Sequence, residues 1–118
     1  VPGQQRFPQR ERLTRRSQFL RVYSTGEKYV GEAFIGYWVR QAGQGRKMGC
    51  AVSRKVGGAV VRNRVKRYIR EVYRKHREQL PQDVHIVVVA RPAAAGWSYG
   101  QWESAIRQFF QTGDLVGG

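Results

Sequence analysis

The apolar positions of this chain repeat with two periods. From Val61 onward, Val61, Val65, Tyr68, Ile69, Val72 and Tyr73 recur at i, i+4, i+7, i+8, i+11 and i+12. At about 100° per residue they fall in one arc, the stripe of a helix docked on a core. The pattern predicts a long helix beginning near Gly58 and ending before Pro81. Phe19, Val22 and Tyr23 share a helical face in a shorter element running to about Ser24, which Thr14 or Ser17 could cap and Gly26 could end. A third stripe holds Trp102, Ala105, Ile106, Phe109 and Phe110. Ser98, with Gln101 three residues on, forms a capping box at its start.

Period two lies between the helices. In Glu32 to Arg40, Phe34 and Trp38 face one way and Ile35, Tyr37 and Val39 the other, so neither face is plainly solvent. Gln41-Ala42-Gly43-Gln44-Gly45 reads as a turn, and Arg46 to Ser53 as a second strand returning antiparallel to the first. Asp83 to Ala90 is strongly apolar and expected to be central, with Arg91-Pro92 ending it. The order is helix, two or three strands, long helix, strand, helix. That is an α+β fold, an α-β sandwich of one small sheet of about four strands packed with three helices. A long helix between two strands of one sheet normally crosses over right-handed. Val1 to Arg12 reads as a flexible basic arm and residues 112–118 as a frayed tail, leaving one domain over 1–118.

The length of 118 residues suits a single core. A net charge of +14 calls for an anionic partner, either nucleic acid or an acidic membrane. The membrane fits poorly, since the longest apolar run, Ile86 to Ala90, is far short of the roughly 20 residues of a span. Val1-Pro2-Gly3 and the polar residues after it do not read as a signal peptide. The single Cys50 excludes an internal disulfide, suits a reducing cytosol and is expected to be a buried small side chain.

Where the charge sits sharpens the picture. Arg62, Lys66, Arg70, Arg74 and Arg77 form an arc beside the long apolar stripe, with Asn63 and Arg67 on its flank and Arg64 and Lys75 further round. A merely solvated face mixes signs, with Glu and Lys four apart. Between Arg54 and Arg77 there are ten Lys/Arg and one acid, Glu71. Such crowding repels itself and points to a polyanion, and arginine forks bind phosphate and stack on bases. Asn63 is expected to fix the geometry of Arg62 and Arg64. Gly57-Gly58 either admits a phosphate to the helix N-terminus or is a simple turn into the helix. It is not a P-loop, because the Gly-Lys-Ser/Thr ending is absent. His76 and His85, with no acid or cysteine near them in the pattern, are expected to form neither a metal site nor an acid/base pair.

At Lys55-x-Gly57, Ala59-Val60, Arg62-Asn63-Arg64, Lys66-Arg67 and Arg70-Glu71 the sequence resembles the bacterial ribonuclease P protein subunit, whose RNR signature this is. Arg12-Leu13, Phe19-x-x-Val22-Tyr23, Met48 to Lys55 and the strand into Ala90-Arg91 lie in register with the same family pattern. The resemblance implies that the long helix joins parallel strands by a left-handed crossover. It implies that Arg62, Asn63, Arg64, Lys66, Arg67, Arg70 and Arg74 face the catalytic RNA subunit. It further implies a cleft between sheet and first helix for the 5′ leader of precursor tRNA, with Phe19, Tyr23 and Tyr37 as its aromatics and Lys55 nearby. Stacking bases on rings tolerates a leader of variable sequence. Tyr23 stands where relatives often have Phe, and Gly58 where several have a polar residue.

The family further implies a cytoplasmic bacterial protein whose partners are the catalytic RNA and precursor tRNA, with no membrane and no obligate protein partner. The holoenzyme's Mg²⁺ would be held mainly by RNA, with no metal or catalytic group on the protein, which alone is not expected to cleave. Two other readings stay open. A ribosomal-type RNA-binding protein accounts for the charge but not for Phe19, Tyr23 and Tyr37 on one surface. A stand-alone nuclease would have to use His76 or His85.

Overall fold

The most apolar strand takes the middle of the sheet. The structure is a computed structural model describing residues 7–112. In it β4 (Val84–Ala90) is hydrogen-bonded on both edges, antiparallel to β2 (Phe34–Arg40) and parallel to β3 (Lys47–Ala51). β1 (Glu27–Val30) pairs with the free edge of β2, giving the order β1-β2-β4-β3. With α1 (Arg16–Thr25), α2 (Ala59–His76) and α3 (Tyr99–Phe110), this is the expected α+β sandwich of four strands and three helices.

The sheet is covered on both faces, as the two-sided alternation of β2 requires. Phe34 and Trp38 of β2, Met48 of β3 and Ile86 and Val88 of β4 pack against Val65, Ile69, Val72 and Tyr73 of α2 and Trp102, Ile106, Phe109 and Phe110 of α3. On the other face Val87 meets Val22 of α1 and Leu13, with Phe19, Tyr23, Tyr37, Val39 and Val89 half-buried around them. At Gly36 the Phe109 ring lies so close that a Cβ would be 2.6 Å from it.

Several expectations are corrected. The single strand from Glu32 to Arg40 is the second arm of a hairpin. β1 precedes it, and three of its four residues are exposed, so it carries no alternation to read. β3 runs opposite to β2 as expected, but β4 lies between them, so the turn at 41–45 steps over a strand instead of closing a hairpin. Gly43 and Gly45 make that step with φ of 80° and 76°, values glycine adopts without steric cost. Neither Thr14 nor Ser17 caps α1. The Gln18 side chain instead reaches back, its Oε1 accepting from the N–H groups of Thr14 and Arg15 at 2.9 Å each. Gly26 does end α1, in an extended conformation, and a Cβ there would lie 2.5 Å from the Val22 carbonyl oxygen. The predicted capping box on α3 forms, with Gln101 N–H donating to Ser98 Oγ and Ser98 N–H to Gln101 Oε1. α2 ends at His76, and a further short turn carries the chain to Gln79.

The basic arm is corrected in part. Residues 1–6 of it, and 113–118 of the expected tail, lie outside the described residues. Residues 7–13 form a strap laid along β3: Arg12 bridges to Met48, and Leu13 N–H donates to the Met48 carbonyl at 3.1 Å. Polar and basic residues hid this order, because what fixes them lies far along the chain.

Candidate nucleic-acid interface

Burial of Val65, Ile69, Val72 and Tyr73 sets the rotation of α2. That rotation turns Asn63, Arg67 and Arg70 to solvent, with Lys66 and Arg74 half-buried beside them. The strap runs along the same face. Phe7 meets the Tyr73 ring edge-on at 5.3 Å, and the Arg12 guanidinium sits 5.0 Å over Phe7. Between strap and helix lies a groove of about 320 Å³ lined by Phe7, Arg12, Asn63, Lys66, Arg67, Arg70, Glu71 and Arg74. Among the described residues Glu71 is its only acid, and it pairs with Arg74. The spacing of α2 places the helix side of this groove, but not Phe7 and Arg12, whose only sequence signal is a ring and a cation ahead of Leu13.

Four side chains in and beside the expected arc have particular surroundings. Arg77, at the end of the arc, is buried and pairs with Glu11 at 3.2 Å. Glu11 also accepts from the Tyr73 hydroxyl at 2.8 Å. Burial and that bond push the Tyr73 hydroxyl pKa far up. Arg64 donates to the Ala95 carbonyl at 3.0 Å, which commits it to the segment after β4. Asn63 is exposed and, among the described residues, bonds neither Arg62 nor Arg64, so protein contacts alone do not make it their positioning residue. Arg62 Nε is buried without a hydrogen-bond partner among the described residues. At the start of α2, Gly58 supplies no side-chain cap, and a Cβ on it would meet nothing. A Cβ on Gly57 would lie 2.9 Å from Val61, so that glycine serves packing.

The rings singled out in the sequence come together on the opposite face of the sheet. Phe19 packs on Gly49, where a Cβ would be 2.6 Å from its ring. Phe19 and Tyr23 are 6.4 Å apart, and Tyr23 and Tyr37 4.9 Å, both edge-on. All three are half-buried. Burial first, then Tyr37, raises the Tyr23 hydroxyl pKa. Lys55 is exposed on the turn after β3. β3 leaves the sheet where Ala51 pairs with Val89, the end that also holds Ile35, and Lys55 follows beyond it.

The histidines are partly corrected. His76 does have an acid beside it: its Nε2 is 2.9 Å from Glu103 Oε2, which also accepts from the Tyr99 hydroxyl at 3.3 Å. The His76 bond holds the Glu103 carboxyl below its usual pKa. This ties α2 to α3 and leaves His76 18% exposed. His85 is buried on β4. Cys50, expected to be buried, is half-buried against the core, with burial raising its thiol pKa against the opposing pull of Arg70 and Lys66. Among the described residues no group of three or more His, Cys, Asp or Glu is placed to hold a metal, and no helix is long and apolar enough to cross a membrane.

A family model described as Ribonuclease P matches residues 7–113. The ribonuclease P protein component of Desulfovibrio desulfuricans is 48% identical over 90 residues, 75% of this chain and 69% of that one. That of Dictyoglomus thermophilum is 46% identical over 87 residues, 73% of this chain and 72% of that one. Among solved structures, the RNase P protein of Staphylococcus aureus matches with a TM-score of 0.82 at 26% identity, covering 90% of this chain and 97% of that one. The RNase P protein of Thermotoga maritima matches with a TM-score of 0.75 at 26% identity, covering 84% and 94%.

Proposed function

This chain belongs to the bacterial ribonuclease P protein family, and from that premise we propose that it holds the catalytic RNA along α2 and the 5′ leader of precursor tRNA in its aromatic cleft. As a ribonuclease P protein component it is a subunit of the endoribonuclease that matures tRNA 5′ ends, and it associates with the RNA of that enzyme. The observation that supports the finer reading is the separation of two surfaces. A strongly basic groove lies on the α2 side of the sheet, and a cluster of half-buried rings on the α1 side.

Each surface suits a different task. Cations of the groove would neutralise close-packed phosphates and lower the Mg²⁺ the folded RNA needs. Rings offer stacking planes to unpaired bases whatever their sequence. A leader is present in the precursor and absent from the product, so contacts to it favour substrate over product. The chemical step would fall to metal ions held by RNA, which would supply an activated water and charge stabilisation at the leaving oxygen. His76 is engaged by Glu103, and among the described residues no carboxylate or second histidine lines the pocket beside His85, so neither is read as a nuclease group. A ribosomal-type role is not favoured, since it gives no reason for the ring cluster.

Cleavage of a precursor tRNA by the cognate catalytic RNA at low Mg²⁺, with and without this protein, tests the reading. Rescue of cleavage by the protein is expected. Tight RNA binding without rescue would overturn it.

A further inference from the structure

Helix α1 lies on the outer face of the sheet and has two flanks there. Phe19 and Tyr23 lie on one flank, while Gln18 and Arg21, at 100° steps, lie on the other. The second flank opens on a pocket of about 230 Å³ lined by Ser17, Gln18, Arg21, Gln44 and His85. His85 comes from β4, in the row Val39–His85–Lys47 across the sheet, and is only 5% exposed. Its ring bonds the Gly45 backbone, and Nε2 has no hydrogen-bond partner among the described residues. Native folds leave few buried polar atoms in that condition. Burial, then Lys47 and Arg21, lower the His85 pKa, opposed by the Gly45 bond and Asp83. The ring is therefore neutral near pH 7, and Nε2 presents a lone pair.

Among the described residues no carboxylate lines this pocket. It offers an acceptor in His85 Nε2, a guanidinium in Arg21, a hydroxyl and two amides. Gln44 is an exposed side chain on the Gly43–Gly45 turn, and both its amide, at 3.5 Å, and the Arg21 guanidinium, at 3.4 Å, donate to Gln41 Oε1 at the rim. We infer that the pocket takes one unpaired ribonucleotide of RNA, with a hydroxyl or amino group donating to His85 Nε2 and the adjoining phosphate on Arg21. The volume is below the roughly 300 Å³ where drug-sized pockets begin, so a ribose or base enters and the phosphate stays at the rim. The inference rests on reading the chain as a ribonuclease P component and adds an RNA contact on the flank of α1 away from Phe19 and Tyr23. The nucleotide belongs either to the precursor's leader or to the RNA subunit.

His85→Asn keeps an N–H for Gly45 and takes away the acceptor at the Nε2 position, its own carbonyl being held closer to the backbone by a shorter side chain, and Arg21→Gln removes the rim charge. For each variant, two affinities are measured: protein for catalytic RNA, and reconstituted holoenzyme for leader-bearing and leader-less precursor. We expect both variants to weaken the same one of these by about five- to tenfold. A loss confined to leader-bearing precursor identifies the leader as the source, and a loss in assembly identifies the RNA subunit. Should His85→Asn lower the melting temperature, Arg21→Gln, at an exposed site, decides alone. Changes below about twofold in both affinities for Arg21→Gln would overturn the inference. Failure of the functional reading is distinguishable, because wild-type protein would then give no rescue of cleavage at low Mg²⁺.

Discussion

Glu11 serves two partners at once, the Tyr73 hydroxyl and the Arg77 guanidinium, and so holds the strap to the end of α2. Arg77 and Glu11 side chains are 8% and 14% exposed, so solvent screens little of this pair. Glu11→Gln should lower stability by about 2 kcal/mol, read by denaturant unfolding, because a buried guanidinium loses its carboxylate. His85 gives a pH signature. Its unfolded pKa is 6.5 and its folded value is lower, so below pH 6.5 the unfolded chain takes up a proton that the folded chain refuses. Its contribution is full above pH 6.5 and falls as the pH drops through 6.5 toward the folded value. His85→Asn should flatten the wild-type decline in melting temperature across that window. An unchanged slope would contradict the assignment. These residue-scale facts were not legible in the sequence: Glu103 stands 27 residues from His76, and Glu11 66 from Arg77, so nothing local announces either pair.

Elements were legible where a period was strong. The α2 stripe and the box on α3 formed as read, because burial of one face and a local cap both depend on near neighbours. β1 was not separated from β2, since its exposed residues show no alternation. Nor does period two say which strand pairs with which, and the place of β4 between β2 and β3 follows from its being apolar on both faces. Glycines join these elements closely. Gly36→Ala would drive a methyl into the fully buried Phe109 ring and should cost about 1–3 kcal/mol in unfolding experiments. Gly49→Ala would push on Phe19, its methyl 2.6 Å from that ring and 3.0 Å from the Leu13 Cβ. It should weaken holoenzyme binding to leader-bearing precursor while leaving binding to the leader-less RNA within about twofold.

Across the whole molecule, the net charge of +14 already points to a polyanion, and the spacing along α2 locates one face for it. The second face was legible only through the family resemblance, because periodicity alone makes Phe19, Val22 and Tyr23 ordinary core residues. Indeed Val22 is fully buried, and the two rings beside it are half-open. The two surfaces should respond differently to salt. Arg67→Ala and Arg70→Ala should each reduce the slope of log affinity for the catalytic RNA against log salt by about 0.7–0.9 for every phosphate the missing guanidinium had neutralised. Tyr23→Ala should leave that slope unchanged.

The division of labour between the two faces is tested most directly by the ratio of holoenzyme affinities for leader-bearing and leader-less precursor tRNA, measured at low Mg²⁺ for wild-type protein and for Tyr23→Ala. A wild-type preference for the leader that Tyr23→Ala reduces by about tenfold, with assembly onto the catalytic RNA intact, is the expected result. An equal affinity for both RNAs, or a preference untouched by Tyr23→Ala, would contradict the account and leave the rings of α1 as core packing alone.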